Sequence, residues 1–384
     1  MAKPSGHIDW LILLPIVGLM LFSIAFVYSA SASIAEMRFG EPERLFVNHA
    51  IRIFIGLVLI IIFSRIDYHF WRKWSKPIMF IAIALLVVVL FAGYSIKGAS
   101  RWLFIGPLTF QPSELAKFAL VLHFATMLER KQAVIKNFER GFLPFLFWTL
   151  FVCALIALQP NFSTAFVIYF IAMSMMFIGN TNLLHLGATT LIGGLVAALY
   201  AVSAQYRMQR IMAYLGMDPN TIDPESVNYQ LRQALIALGN GGLFGTGPGQ
   251  SRQSNLFLPE SYGDFIFSII GEEYGFIGVL LVIATFVLVF WRGMMVARRA
   301  PDDFGYFLAV GILITFAIYV FVNAGVNVGL LPTTGLPMPF VSYGGSAVLI
   351  YAMAVGVLLN ISAQSGIYPR AVAQEPPSLE FSDE

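Results

Sequence analysis

Apolar runs of about 20 residues recur about ten times along this 384-residue chain, and no other feature limits its fold so tightly. That is the length of helix needed to cross a bilayer, where every backbone N–H and C=O must be satisfied inside the segment. Charged residues make up only 11% of the chain and hydrophobic residues 58%, whereas a soluble domain carries about 25% charge. The chain therefore reads as an all-α polytopic membrane protein. Its net charge of +2 argues against nucleic acid as a partner. There is no repeat at a fixed period and no inverted repeat of the kind that marks many transporters.

The expected spans are 10–30, 47–64, 78–95, 114–128, 141–158, 162–178, 183–203, 263–291, 306–325 and 341–362. The fourth is short and carries Glu114, Lys117 and His123. The first is read as a retained span, because no small-residue cleavage site follows it. Cys153, the only cysteine, sits mid-helix and reads as a packing residue. Loops 65–77, 129–140 and 292–305 hold four, four and three Lys/Arg, while loops 31–46, 96–113 and 326–340 hold two, two and none. The positive-inside rule makes the first set cytoplasmic, together with both termini. Alternation then puts the long loop 204–262, between helices 7 and 8, outside the cytoplasm. Residues 1–363 form the transmembrane domain, and the Pro-containing acidic tail 364–384 is expected to be disordered and cytoplasmic.

The unusual segments all fall at the outer ends of helices: KGASRW (97–102), QPSELAK (111–117), QPN (159–161), region 204–264 and PTTGLPMPFVSYGGS (332–346). An enzyme at that face has no nucleotide supply, so it needs a substrate that arrives already activated. Glu114 and Lys117, three apart, share one helix face behind Pro112 and the candidate N-cap Ser113. They form either a self-neutralising pair or the polar wall of an outward-facing cavity. Lys97 and Arg101 suit a phosphate, on a substrate or on a lipid headgroup. Loop 204–262 is expected to carry two interfacial helices, one around Gln205–Leu215 with Arg207 and Arg210, the other around Val227–Leu238 with Gln230 and Gln233 on its polar face. The glycine run GNGGLFGTGPG (239–249) has no preceding strand and no GK[ST], so it reads as a tight turn bringing backbone amides to the membrane surface or a ligand. Asp264 stands at the mouth of the next helix, where a carboxylate is costly. It is either a general base or a helix-terminal cap. Glu272, eight residues on, faces about 80° away, so the acids of this helix need not share a site.

These segments together resemble the RodA/FtsW family, also called SEDS proteins, over nearly the whole chain. The resemblance rests on YSAS (28–31), GASRW (98–102), QPSELAK (111–117), GGLFGTGPGQS (241–251), LPESYGDFIFSIIGEEYGFIG (258–278) and GLLPTTGLPMPFVSYGGS (329–346). YSAS, PTTG and GPGQS lean toward the division-type FtsW branch. Two departures stand out: Gln159-Pro160-Asn161 where the family often has QPD, and Tyr262-Gly263 where it often has His-Thr.

The resemblance implies a peptidoglycan glycosyltransferase in the bacterial cytoplasmic (inner) membrane, serving cell division or elongation. It would polymerise lipid II into undecaprenyl-diphosphate-linked glycan at the outer face, beside a class B penicillin-binding protein. The family's catalytic aspartate maps onto Asp264, and its sensitive cavity charges onto Arg101, Glu114 and Lys117. Arg207, Arg210, Gln230 and Ser342 complete the candidate substrate contacts. No metal ligands are assigned, and a divalent cation (Mg or Mn) at the diphosphate is left open. A lipid II flippase and a non-catalytic scaffold are the alternative readings. A flippase predicts functional charges at both ends of its path, whereas here they crowd one end.

Overall fold

The computed structural model describes residues 6–96, 99–105, 108–203, 208, 211–212, 214–215, 217, 227–255 and 257–367. Arg207, Arg210, Lys97 and the tail beyond 367 lie outside the described residues, as does most of the first expected interfacial helix. The helices are α1 (Trp10–Phe39), α2 (Arg44–Arg65), α3 (Tyr68–Ala92), α4 (Pro112–Lys131), α5 (Leu143–Ala157), α6 (Phe162–Ile178), α7 (Leu183–Val202), α8 (Val227–Gly241), α9 (Ile266–Arg298), α10 (Asp303–Asn327) and α11 (Gly345–Gln364).

Among the described residues, eight helices are long and apolar enough to cross a membrane: α1, α2, α3, α5 with its lead-in from Phe138, α7, α9, α10 and α11. The other two expected spans differ for physical reasons. Helix α6 is apolar but has 17 residues. Helix α4 is polar for a span, yet almost all of it is buried against other helices. A helix that meets protein rather than lipid needs no apolar surface of its own.

Helix α11 lies at the centre, 89% buried over its most apolar stretch, while α7 at the periphery buries only Leu186 among the described residues of its own. Close approach of α11 to α2 depends on small residues. A Cβ on Gly356 would stand 2.5 Å from Phe63 Cβ, and one on Gly56 would stand 3.5 Å from Ala352 Cβ.

Three differences from the sequence reading bear on the site. Helix α3 begins at Tyr68, ten residues before the expected span, capped by Asp67, whose side chain accepts from His69 N. The expected loop 96–113 folds instead into an antiparallel three-stranded sheet of β1 (Tyr94–Ile96), β2 (Ala99–Ile105) and β3 (Leu108–Phe110). Ser113 is not the cap of α4: Gln111 holds that position without a side-chain cap bond, and Ser113 is buried in the first turn.

Candidate active site

Asp264 lies in the turn just before α9 and is partly exposed. Its backbone is clamped by two buried amides four residues apart on α10. Asn323 Nδ2 donates to Asp264 O at 2.9 Å, and Asn327 Nδ2 donates to the same oxygen at 3.0 Å. Asn323 Nδ2 also donates to Leu336 O at 2.8 Å, which ties the irregular elbow 328–344 to the same point. Asn327 Oδ1 accepts from Ser268 N at 3.1 Å and from Ser268 Oγ at 2.7 Å, fixing the first turn of α9. A Cβ on Gly335, whose φ is +73°, would stand 3.4 Å from Asp264 Oδ2, so the carboxylate faces elbow backbone where a side chain would crowd it.

The elbow also reaches the neighbouring segments. Tyr343 N donates to Tyr262 O at 2.9 Å, and the two rings meet edge to face at 5.5 Å. Burial, and then the Glu260 carboxylate, push the Tyr262 phenol up to about 12, so it stays protonated at neutral pH. Ser346 Oγ accepts from Gln111 N at 2.9 Å, joining the start of α11 to the start of α4. A Cβ on Gly345 would stand 3.1 Å from Thr109 Oγ1 and 3.4 Å from a Trp102 ring carbon, so the small sheet packs on the elbow.

Glu114 and Lys117 form a second buried centre. Lys117 Nζ donates to Glu114 Oε2 at 2.6 Å and to Tyr351 Oη at 2.9 Å. The ammonium also lies over two aromatic faces, 3.8 Å from the Tyr319 ring centroid and 4.6 Å from that of Tyr351. The pair neutralises itself at 2% and 4% exposure, against helices α10 and α11. The geometry shows the ion pair that both readings of the sequence contain.

Arg101, on β2, gives its Nε to Gln159 O at 3.2 Å and its Nη2 to Pro160 O. It thereby fastens the sheet to the QPN turn. Gln159 in turn donates to Leu86 O at 3.1 Å. Ser342 is buried, and its hydroxyl accepts from Met338 N at 2.8 Å, closing the elbow on itself. Gln230 is half-buried on α8, which packs against α9.

The glycine run has a different partner from the one its composition suggested. Helix α9 breaks at Gly275, where φ is 65° and ψ −164°. The run docks on that break, backbone to backbone. Thr246 N donates to Glu272 O at 2.9 Å and Gly247 N to Glu273 O at 3.0 Å, while Phe276 N donates to Gly242 O at 2.9 Å. The break exposes backbone groups that apolar surroundings cannot solvate, and the run supplies their partners. Glu272 accepts from Asn240, Ser251 and the Gln253 amide, and Glu273 accepts from Ser29. These two acids hold the loop and are separate from Asp264. Among the described residues, no three His, Cys, Asp or Glu side chains group as a metal site.

Sequence reasoning missed Asn323 and Asn327. The available signal was two amides at i and i+4 in the apolar stretch VFVNAGVN (320–327). It also missed Arg52, the one charge inside LFVNHAIRIFIGL (45–57).

A family model described as "Cell cycle protein", covering FtsW, RodA and SpoVE, matches residues 9–366. The chain is 39% identical over 363 residues to a probable peptidoglycan glycosyltransferase FtsW of Trichlorobacter lovleyi, covering 94% of each. It is 41% identical over 360 residues to the stage V sporulation protein E of Bacillus subtilis, covering 92% of this chain and 97% of that one. Among solved structures, it resembles a chain of a peptidoglycan synthase complex described as coordinating polymerization and crosslinking. That match has a TM-score of 0.75 and 25% identity, covering 93% of this chain and 98% of that one. The rod shape determining protein RodA of Thermus thermophilus matches with a TM-score of 0.69 and 25% identity, covering 92% and 96%.

Proposed function

Because the chain belongs to the FtsW/RodA/SpoVE family and is a peptidoglycan glycosyltransferase, we propose that it polymerises lipid II at the outer face of the cytoplasmic membrane with Asp264 as general base. The observation that carries this reading is the double amide clamp on the Asp264 backbone, which aims one carboxylate from the mouth of the helix bundle toward the elbow. Two donors on one backbone oxygen limit how far the base can move, and a misplaced base loses most of its effect.

Lipid II brings a diphosphate leaving group, so no nucleotide is required. The acceptor's sugar 4-hydroxyl gives its proton to the Asp264 carboxylate as its oxygen bonds to the donor's anomeric carbon. The bond from that carbon to the diphosphate oxygen breaks, and its electron pair leaves with the diphosphate. In-line displacement converts the α-linked donor into a β-1,4 linkage. Lys117 is charge-matched by Glu114, and Arg101 gives two donors to backbone carbonyls. Both are therefore assigned to shaping the cavity wall. Arg207 and Arg210 stay as candidate diphosphate contacts, and Gln230 as a polar contact on the rim. The product strand would pass to a class B penicillin-binding protein, as suggested by the relative solved within a synthase complex.

The test is glycan synthesis from labelled lipid II by the purified protein, with a class B penicillin-binding protein whose transpeptidase is inactivated. Asp264→Asn is expected to fold normally and to polymerise about 10²–10⁴-fold more slowly. Near-normal turnover by that variant would sink the base assignment.

A further inference from the structure

Arg52 is a buried cation that no carboxylate pairs with among the described residues. It sits on α2 with 6% of its surface exposed, eight residues and so about 12 Å into the helix. Its guanidinium carbon lies 4.9 Å from the Tyr343 ring centroid, and its buried Nη1 has no hydrogen-bond partner. Among the described residues, the other two buried cations each hold a carboxylate at 2.6 Å, Lys117 with Glu114 and Arg292 with Asp9. No such carboxylate meets Arg52 among the described residues. An unpaired buried charge is strongly destabilising, more so at membrane depth, and such residues mark substrate pathways.

What surrounds Arg52 leads to Asp264. One turn earlier on α2, His49 Nε2 lies 2.9 Å from Ser23 Oγ of α1, and the His49 ring stands 5.7 Å from that of Tyr343. Tyr343 is bonded through its backbone to Tyr262, two residues before Asp264. The ring that covers the guanidinium thus belongs to the elbow segment that lies along the candidate base. Buried and about 12 Å along α2 from its start, Arg52 is reached by a phosphate only where that phosphate enters the protein.

Resting on the polymerase reading above, we propose that Arg52 is an anion-binding residue of the same cavity. It takes phosphate oxygens of a polyprenyl-diphosphate end, with the Tyr343 ring turning aside to admit them. A guanidinium presents paired N–H donors that fit such oxygens, which an ammonium does not. The phosphodiester of a phospholipid headgroup shares this chemistry, and the experiment separates the two sources.

Full-length wild type, Arg52→Met and Arg52→Lys would be compared for binding of a fluorescent polyprenyl diphosphate, for competition by phosphatidylglycerol vesicles, for thermal unfolding and for glycan synthesis. Arg52→Met is expected to lose about 10- to 100-fold in diphosphate affinity, with an unfolding temperature equal to or above that of the wild type. Equal diphosphate affinity in wild type and Arg52→Met overturns the proposal. So does a loss confined to phosphatidylglycerol, which would make Arg52 a headgroup contact. If Arg52→Met does not fold, Arg52→Lys decides: a several-fold loss supports the site, and unchanged affinity overturns it. Glycan made equally well by wild type and Arg52→Met would sink the site and leave the polymerase reading standing. Tight diphosphate binding that needs Arg52, in a wild type that makes no glycan, would support the site and sink the polymerase reading.

Discussion

A single carboxylate becomes a catalyst only when something holds it. For Asp264 that holder is neutral: two asparagines on α10 that donate to its backbone oxygen while one of them also grips Leu336 O. Asn323→Ala leaves the Leu336 carbonyl without this donor and removes half of the clamp on Asp264. Because the amide is buried and donates to backbone carbonyls, binding should change little while the chemical step suffers. The expected result is a fall in kcat of about 10- to 100-fold with KM within a few-fold, read from initial rates on labelled lipid II. A KM rise with unchanged kcat would assign Asn323 to binding instead. The difference in legibility between these residues is physical. Asp264, Glu114 and Lys117 announce themselves because charge in an apolar sequence is costly. Asparagine carries no charge, so its placement has meaning only once the carbonyls beside it are known.

Among the elements, the long helices were readable from apolar length, because the bilayer imposes it. The small sheet was not, since residues 94–110 are too short and mixed to show a strand period. The glycine run was half readable. Its flexibility is plain in the sequence, but its partner is the broken backbone of α9, and a backbone contact leaves no side-chain signature. Gly245 carries the argument, with φ of +82° and a Cβ position 2.1 Å from Glu273 O. Gly249 has a similar φ of +73° but open space around it. Gly249→Ala should therefore show only the conformational cost, about 1 kcal/mol. Gly245→Ala adds a backbone clash and should cost clearly more, with the loop 239–251 lifting from α9 and becoming open to proteolysis. Equal unfolding temperatures and equal cleavage in the two variants would mean that the run is not docked as described.

On the scale of the whole molecule, the two ends of the bundle are built differently. At the Asp264 end, sheet, elbow and glycine loop converge. At the opposite end, compact polar ties lock the helices: Arg292 Nε donates to Asp9 Oδ2 at 2.6 Å, Asp9 N to Ser362 Oγ at 3.0 Å, and His69 lies 2.7 Å from both Asp67 and Asp302. Loop charge made the two ends distinguishable in the sequence, but all of these ties except His69–Asp67 join residues 233 to 353 positions apart and could not be read there. The asymmetry allows one chemical lesion to be made at either end. Arg292→Met strands Asp9, and Lys117→Met strands Glu114, each a buried carboxylate. Either should cost about 3–5 kcal/mol of stability, seen as a lower unfolding temperature. Removing both partners, as in Asp9→Asn with Arg292→Met or Glu114→Gln with Lys117→Met, should recover most of that loss. Their effects on polymerisation should then part. Per folded molecule, Arg292→Met and its double variant should keep the wild-type rate, because the far end only ties helices together. Lys117→Met and its double variant should both stay impaired, because the pair anchors Tyr351 and the wall beneath the elbow. Full activity in the Glu114→Gln, Lys117→Met protein would reduce that pair to the role Asp9 and Arg292 play, and leave Asp264 and its clamp to carry the site.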